Sequence, residues 1–142
     1  MSIKQLSVFV ENKKGRLAEI TRVLADNSID IRALSIADTT DYGILRLIVD
    51  DAERANDALK AAGVTFKLTN VIGVAVSDAP GAFAKATQLL SDNGVIIEYA
   101  YAFITPVKGQ AYIILRVDDN DRACAVLHEN GIKLIEQNDI FE

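Results

Sequence analysis

The sequence predicts an α+β chain in which one β-α-β-β-α-β unit is used twice in tandem, each unit an antiparallel sheet with two helices on one face. Three observations predict it. Apolar positions switch between strand and helix spacing in the same order in each half. The chain also repeats itself. Adding 66 takes Gly15 to Gly81, Leu17 to Phe83, Leu24 to Leu90, Asn27 to Asn93, Ile29 to Val95 and Ile31 to Ile97; later an offset of 68 takes Val49-Asp50-Asp51 to Val117-Asp118-Asp119, Leu59 to Leu127 and Gly63 to Gly131. Finally, half of the 142 residues are apolar, enough to bury a real core. The step from 66 to 68 implies two extra residues between Ile97 and Val117. Length changes fall in loops, so the hairpin tip near Thr105-Pro106-Val107-Lys108-Gly109 is their natural place. The halves divide near Asn70, into domains 1–69 and 70–142.

In the first half, Ile3 to Val10 is a strand. A helix follows over Arg16–Asp26, because Leu17, Ile20, Val23 and Leu24 recur at spacings of three and four. Asn27-Ser28 ends it. Ile29 to Ala37 and Tyr42 to Val49 form a hairpin around the turn Asp38-Thr39-Thr40-Asp41. The second of these strands is almost wholly apolar, which suits a central position. Asp50-Asp51 opens a second helix, with acids at its positive end; Ala55, Ala58, Leu59 and Ala62 face inward, and Gly63 is a fitting stop. Val64 to Leu68 is a weaker fourth strand. The second half repeats this order: strand Val71–Val76, helix Ala82–Asp92, hairpin Val95–Ile104 and Gln110–Val117, helix Asn120–Asn130 and strand Lys133–Glu136. Two such units are ferredoxin-like in topology. Apolar residues on both sides of several strands imply that halves or chains cover each other.

Composition excludes several functions. The net charge is −5 and no basic block stands out, which argues against nucleic acid. One cysteine, Cys124, forbids an internal disulfide and a multi-cysteine metal cage. There is no signal-peptide pattern and no membrane-length apolar run, so a cytoplasmic protein without membrane partners is expected. Neither strand-to-helix loop has the paired cysteines of a copper chaperone. An acylphosphatase would need an arginine-bearing glycine loop and a strand asparagine; Arg16 is present, but its counterpart is Ala82. Tyr99, Tyr101, Phe103 and Tyr112 resemble an RNA-stacking surface without its basic companions.

The two strand-to-helix elbows are the candidate site. Glu11-Asn12-Lys13-Lys14-Gly15 and Ser77-Asp78-Ala79-Pro80-Gly81 each precede a helix whose first amides lack partners and carry partial positive charge. A carboxylate can dock there, and glycine permits close approach. Asn12 and Asp78 could cap the helix or receive an ammonium group. The same residues also serve as ordinary turns.

The stretch Asp78-Ala79-Pro80-Gly81-Ala82-Phe83, then Leu89-Leu90, then Asn93-Gly94-Val95-Ile96-Ile97 resembles the ACT domain, an amino-acid-sensing module of metabolic enzymes. The first half keeps Asn12, Gly15 and Leu17 but has Lys14 for proline, and keeps Asn27-Ser28-Ile29-Asp30-Ile31 with serine for glycine. The resemblance covers nearly the whole chain as two copies. It implies a ligand between neighbouring units near the elbows: Asn12, Gly15, Arg16 and Leu17 lining one side, Asp78, Gly81, Ala82 and Phe83 the other. Amides after Gly15 or Gly81 would take the carboxylate, and Asp78 or Asn12 the ammonium. Tyr99 and Tyr101 share one strand face and would wall an aromatic or imidazole side chain, or simply pack the sheet. The implied partners are a free amino acid, a second copy of the chain in a homodimer, and a metabolic enzyme; no cofactor is implied.

Two alternatives stand beside this regulator. A small enzyme would have to use His128, at a helix end facing away from the apolar stripe, or Cys124, which has no histidine at a useful spacing. The acid pairs Asp50-Asp51 and Asp118-Asp119 read as helix caps rather than metal ligands. A purely structural dimerisation module would need no ligand.

Overall fold

The structure, a computed structural model, describes residues 2–38, 41–103 and 107–141. Its elements are β1 (Ile3–Glu11), α1 (Arg16–Asp26), β2 (Ile31–Asp38), β3 (Tyr42–Val49), α2 (Ala52–Ala61), β4 (Phe66–Ser77), α3 (Ala82–Asp92), β5 (Ile97–Ala102), β6 (Gln110–Val117), α4 (Asn120–Glu129), β7 (Lys133–Ile135) and a closing 3-10 turn over Gln137–Phe141. They gather into two compact units. The first is Lys4–Thr69; the second joins residues 2–3 to residues 70–141.

In the first unit β3 lies antiparallel between β1 and β2, with Val10 opposite Gly43 and Ile36 opposite Leu45. The Phe9 amide donates to the Thr65 carbonyl at 2.9 Å, which brings the chain ahead of β4 against β1. Alternation along the strands turns Leu6, Val8 and Val10 of β1 and Leu45, Leu47 and Val49 of β3 to one side, where they meet Ile20 and Leu24 of α1 and Ala55 and Leu59 of α2. On the other face of β1, Gln5 and Ser7 are buried polar residues. They satisfy each other: Gln5 Nε2 donates to Ser7 Oγ at 3.0 Å, and Ser7 Oγ shares a 3.0 Å hydrogen bond with Thr69 Oγ1.

The second unit has the strand order β7-β4-β6-β5, all antiparallel. Ile72, Val74, Leu115, Val117 and Leu134 face Ala86, Leu90, Ala123 and Leu127 of the helices in its core. Each unit is thus an α+β ferredoxin-like ββ-sheet with its two helices on one face.

The repeat extends to single hydrogen bonds. Asp51 and Asp119 cap α2 and α4 by accepting from the Arg54 and Arg122 amides at 3.0 Å. Their neighbours Asp50 and Asp118 do something else: each accepts, at 2.9 Å, from the amide that leads into the following strand pair, Asp30 and Ile96. Helices α1, α3 and α4 end on an asparagine whose Nδ2 donates back to the carbonyl four residues earlier: Asn27, Asn93 and Asn130.

Several boundaries differ from expectation. β2 begins at Ile31 rather than Ile29, because the Asp30–Asp50 tie occupies the preceding backbone. The strands expected over Val64–Leu68 and Val71–Val76 are one strand, β4. β5 spans Ile97–Ala102, shorter than the Val95–Ile104 expected; beyond it the Phe103 amide still donates to the Tyr112 carbonyl at 2.8 Å. Thr39 and Thr40 of the first hairpin turn, and Ile104, Thr105 and Pro106 at the second, lie outside the described residues.

Candidate functional site

The two elbows are built alike. After β1, the Asn12 amide donates to the Asp41 carbonyl (3.1 Å), Lys13 to Glu11 (2.8 Å) and Arg16 to Lys13 (3.3 Å); after the end of β4, Asp78 donates to Gly109 (3.0 Å), Ala79 to Ser77 (2.9 Å) and Ala82 to Ala79 (3.3 Å). Gly15 and Gly81 occupy the N-cap positions in the left-handed conformation, with φ of 84° and 85°, and no side chain caps either helix. Of the two roles open to Asn12 and Asp78, capping the helix or receiving an ammonium group, the first is therefore not taken up. Each helix instead opens with an N2 and N3 amide that has no intrahelical partner, on Leu17 and Ala18 and on Phe83 and Ala84. The positive end of the helix dipole sits there too.

Beside the first elbow is a cavity of about 170 Å³ lined by Val10, Glu11, Asn12, Lys13, Leu17, Ile36 and Gly43. Two of the expected residues, Asn12 and Leu17, line it directly. Gly15 and Arg16 form the adjoining helix start. Arg16 Nη1 pairs with Glu19 at 3.0 Å, and its Nε is buried without a hydrogen-bond partner. Polar and apolar groups divide the lining. Glu11, Asn12 and Lys13 form the loop side, and Glu11 and Lys13 approach each other at 3.4 Å. Val10 of β1 and Gly43 of β3 are opposite each other, Ile36 of β2 lies one same-face position along, opposite Leu45, and Leu17 of α1 is beside them.

The second elbow is filled differently. Register equates Gly43 with Ala111, since they face Val10 and Val76, and Ile36 with Ala102, since they face Leu45 and Ile113. Leu17 corresponds to Phe83, which packs on the second core, whereas Leu17 is 40% exposed. Asp78 and Gly81 are exposed there, and Ala82 and Phe83 half-buried. Tyr99 and Tyr101 are half-buried on β5, opposite Arg116 and Ile114. That is the sheet face away from the one on which Phe83 packs, so within their unit the tyrosines are not brought to the elbow.

Five lining residues were not among the expected site residues: Val10, Glu11, Lys13, Ile36 and Gly43. Gly43 did carry a signal, as a glycine inside an apolar strand run, which marks close backbone approach. Ile36 carried none, because its place at the mouth depends on strand order. Elsewhere, His128 is exposed on the last turn of α4. Burial pushes the Cys124 thiol up, away from the reactive thiolate. Among the described residues no three His, Cys, Asp or Glu side chains are placed to hold a metal ion, and no helix is long and apolar enough to cross a membrane.

Residues 1–142 match the family model described as an ACT domain pair. A protein of known crystal structure from Bacteroides thetaiotaomicron is 41% identical over all of this chain and 97% of its own, with a TM-score of 0.94. The ligand-free regulatory subunit of aspartate kinase from Thermus thermophilus shares the fold at 15% identity, over 92% of this chain and 93% of that one, with a TM-score of 0.62. The corresponding subunit from Thermus flavus does so at 17% identity, over 89% and 90%, with a TM-score of 0.59. No curated protein matches the chain.

Proposed function

The chain belongs to the ACT domain pair family, and from that premise we propose that it is a non-catalytic regulatory protein whose first domain holds a free amino acid in the cavity at the first elbow. One observation carries this reading: a small cavity with an acid, a base and an amide on one side adjoins an uncapped helix start behind a left-handed glycine. The ligand carboxylate docks on the Leu17 and Ala18 amides, reinforced by the Arg16 guanidinium. The Asn12 side-chain oxygen receives the ammonium group. The boundary between the domains falls at residue 70, with residues 2–3 belonging to the compact unit of the second. A second copy of the chain covers the exposed Leu34 and Ile36 of edge strand β2, so ligand and dimer stabilise each other by differential affinity, and a metabolic enzyme in the cytoplasm reads the change.

A thermal-shift screen of the common L-amino acids tests it. Ligand at a hundredfold over its Kd adds about 2.7 kcal/mol to the native state. Gly15→Val should abolish the shift and Asn12→Ala weaken it; a screen with no stabilising amino acid rejects the reading. Asp78→Ala reports on the second elbow: half the stoichiometry in that variant assigns a further site to Asp78, Gly81, Ala82 and Phe83, and unchanged stoichiometry restricts binding to the first. The apolar β2 edge also favours a second reading, a dimerisation scaffold, which expects a dimer mass indifferent to every amino acid.

A further inference from the structure

Resting on the first-elbow reading, we infer that the ligand is an amino acid with an apolar side chain. The repeat supplies the argument, because it shows the same loop finished in two ways. The loop hydrogen bonds match one for one, yet the side chains behind them do not. The second copy has Phe83, Ala111 and Ala102; the first has Leu17, Gly43 and Ile36. Trading phenylalanine for leucine and alanine for glycine removes volume from the space between helix start and sheet. Trading alanine for isoleucine on the edge strand adds an apolar wall outside it. The result is a recess with a bare backbone floor, walled by Val10, Leu17 and Ile36.

The chemistry of that recess selects a ligand. Its charged groups all lie on the loop side, where the α-carboxylate and ammonium are held, and no charged side chain lies on the wall that would face the ligand's own side chain. A charged side chain would be desolvated there without a partner. Size sets no bar between aliphatic and aromatic side chains: about 170 Å³ exceeds the roughly 150 Å³ of an apolar cavity that takes up benzene. Leu17 and Ile36, 40% and 47% exposed without ligand, lose exposed surface when such a side chain lies against them.

Isothermal titration of the full chain with L-valine, L-leucine, L-isoleucine, L-alanine, L-phenylalanine, L-aspartate and L-lysine tests the inference. The best apolar ligand, aliphatic or aromatic, should bind about tenfold or more tightly than L-alanine, the margin one or two methylenes earn in an apolar pocket, and more tightly than L-aspartate and L-lysine. Leu17→Asp, at an exposed position of α1 away from the β2 edge, should weaken it about tenfold or more. If a charged amino acid binds best and Gly15→Val abolishes that binding, the side-chain class is wrong and the site stands. If Leu17→Asp leaves apolar binding intact, the class is also overturned. If nothing binds, or Gly15→Val leaves binding intact, the site itself falls and the inference with it.

Discussion

Replacing Gly73 by alanine should destabilise the protein, although the same change in an ordinary strand helps. Gly73 lies in β4 between Ile114 of β6 and Ile135 of β7. A Cβ added there would sit 2.8 Å from Ile3 Cδ1, 3.1 Å from Ile135 Cβ and 3.5 Å from Ile135 Cδ1. Ile3 could rotate its terminal methyl away, but it is fully buried and has little room. Ile135 Cβ is fixed to its own backbone, so the β4–β7 pair must shift. A glycine-to-alanine change at an unstrained site gains about 0.4–1 kcal/mol through the unfolded chain. Overpacking a well-filled site costs about 1–3 kcal/mol, so the net expectation is a loss of about 1–2 kcal/mol. Urea unfolding should show a lower midpoint at unchanged m. Ile3→Val removes the offending methyl at a cost of its own of about 0.5–1.5 kcal/mol, and the double variant should be more stable than the sum of the singles. A midpoint for Gly73→Ala at or above the parent, or strict additivity in the cycle, would refute the steric argument.

Ser28 holds a φ of 56°, the position where the second unit has Gly94 at 73°; the left-handed penalty of about 1–2 kcal/mol is offset in part by glycine's larger unfolded entropy, so Ser28→Gly should raise the unfolding free energy by up to about 1 kcal/mol, read as a higher urea midpoint at unchanged m. Asp51→Ala and Asp119→Ala each remove a helix cap and should cost about 1 kcal/mol apiece, read as lower melting temperatures for the two singles and a further drop for the double. The Cys124 thiol is pushed above its ordinary value of 9.0 chiefly by burial. Below that value both folded and unfolded chains keep the proton, and the contribution of the thiol is complete. As pH rises past it the unfolded chain releases the proton first, so stability should fall between about pH 9 and the folded value. Cys124→Ala should flatten that decline, and an equal slope in the variant would place its cause elsewhere.

Much of this molecule is one-dimensional information. Helix α1 could be bounded at Arg16 and Asp26 because Leu17, Ile20, Val23 and Leu24 trace one stripe, and α3 at Ala82 and Asp92 for the same reason. The duplication was equally plain, since glycines and asparagines that end helices must recur at fixed intervals when one unit is copied. Their place at a helix start also marked the acid pairs as caps, although it did not distinguish Asp51, which caps, from Asp50, which ties a strand. Such features depend on neighbours within a turn or two of chain, where periodicity and backbone chemistry decide the outcome. The cavity is of another kind. Val10, Leu17, Ile36 and Gly43 are brought together by strand order and pairing register, and no local pattern ties residue 36 to residue 10. The side-chain volumes that leave one elbow open and let Phe83 pack at the other act only after the sheet has placed them side by side. Composition and repetition therefore determined the architecture of each unit, while three-dimensional packing decided where a small molecule has room.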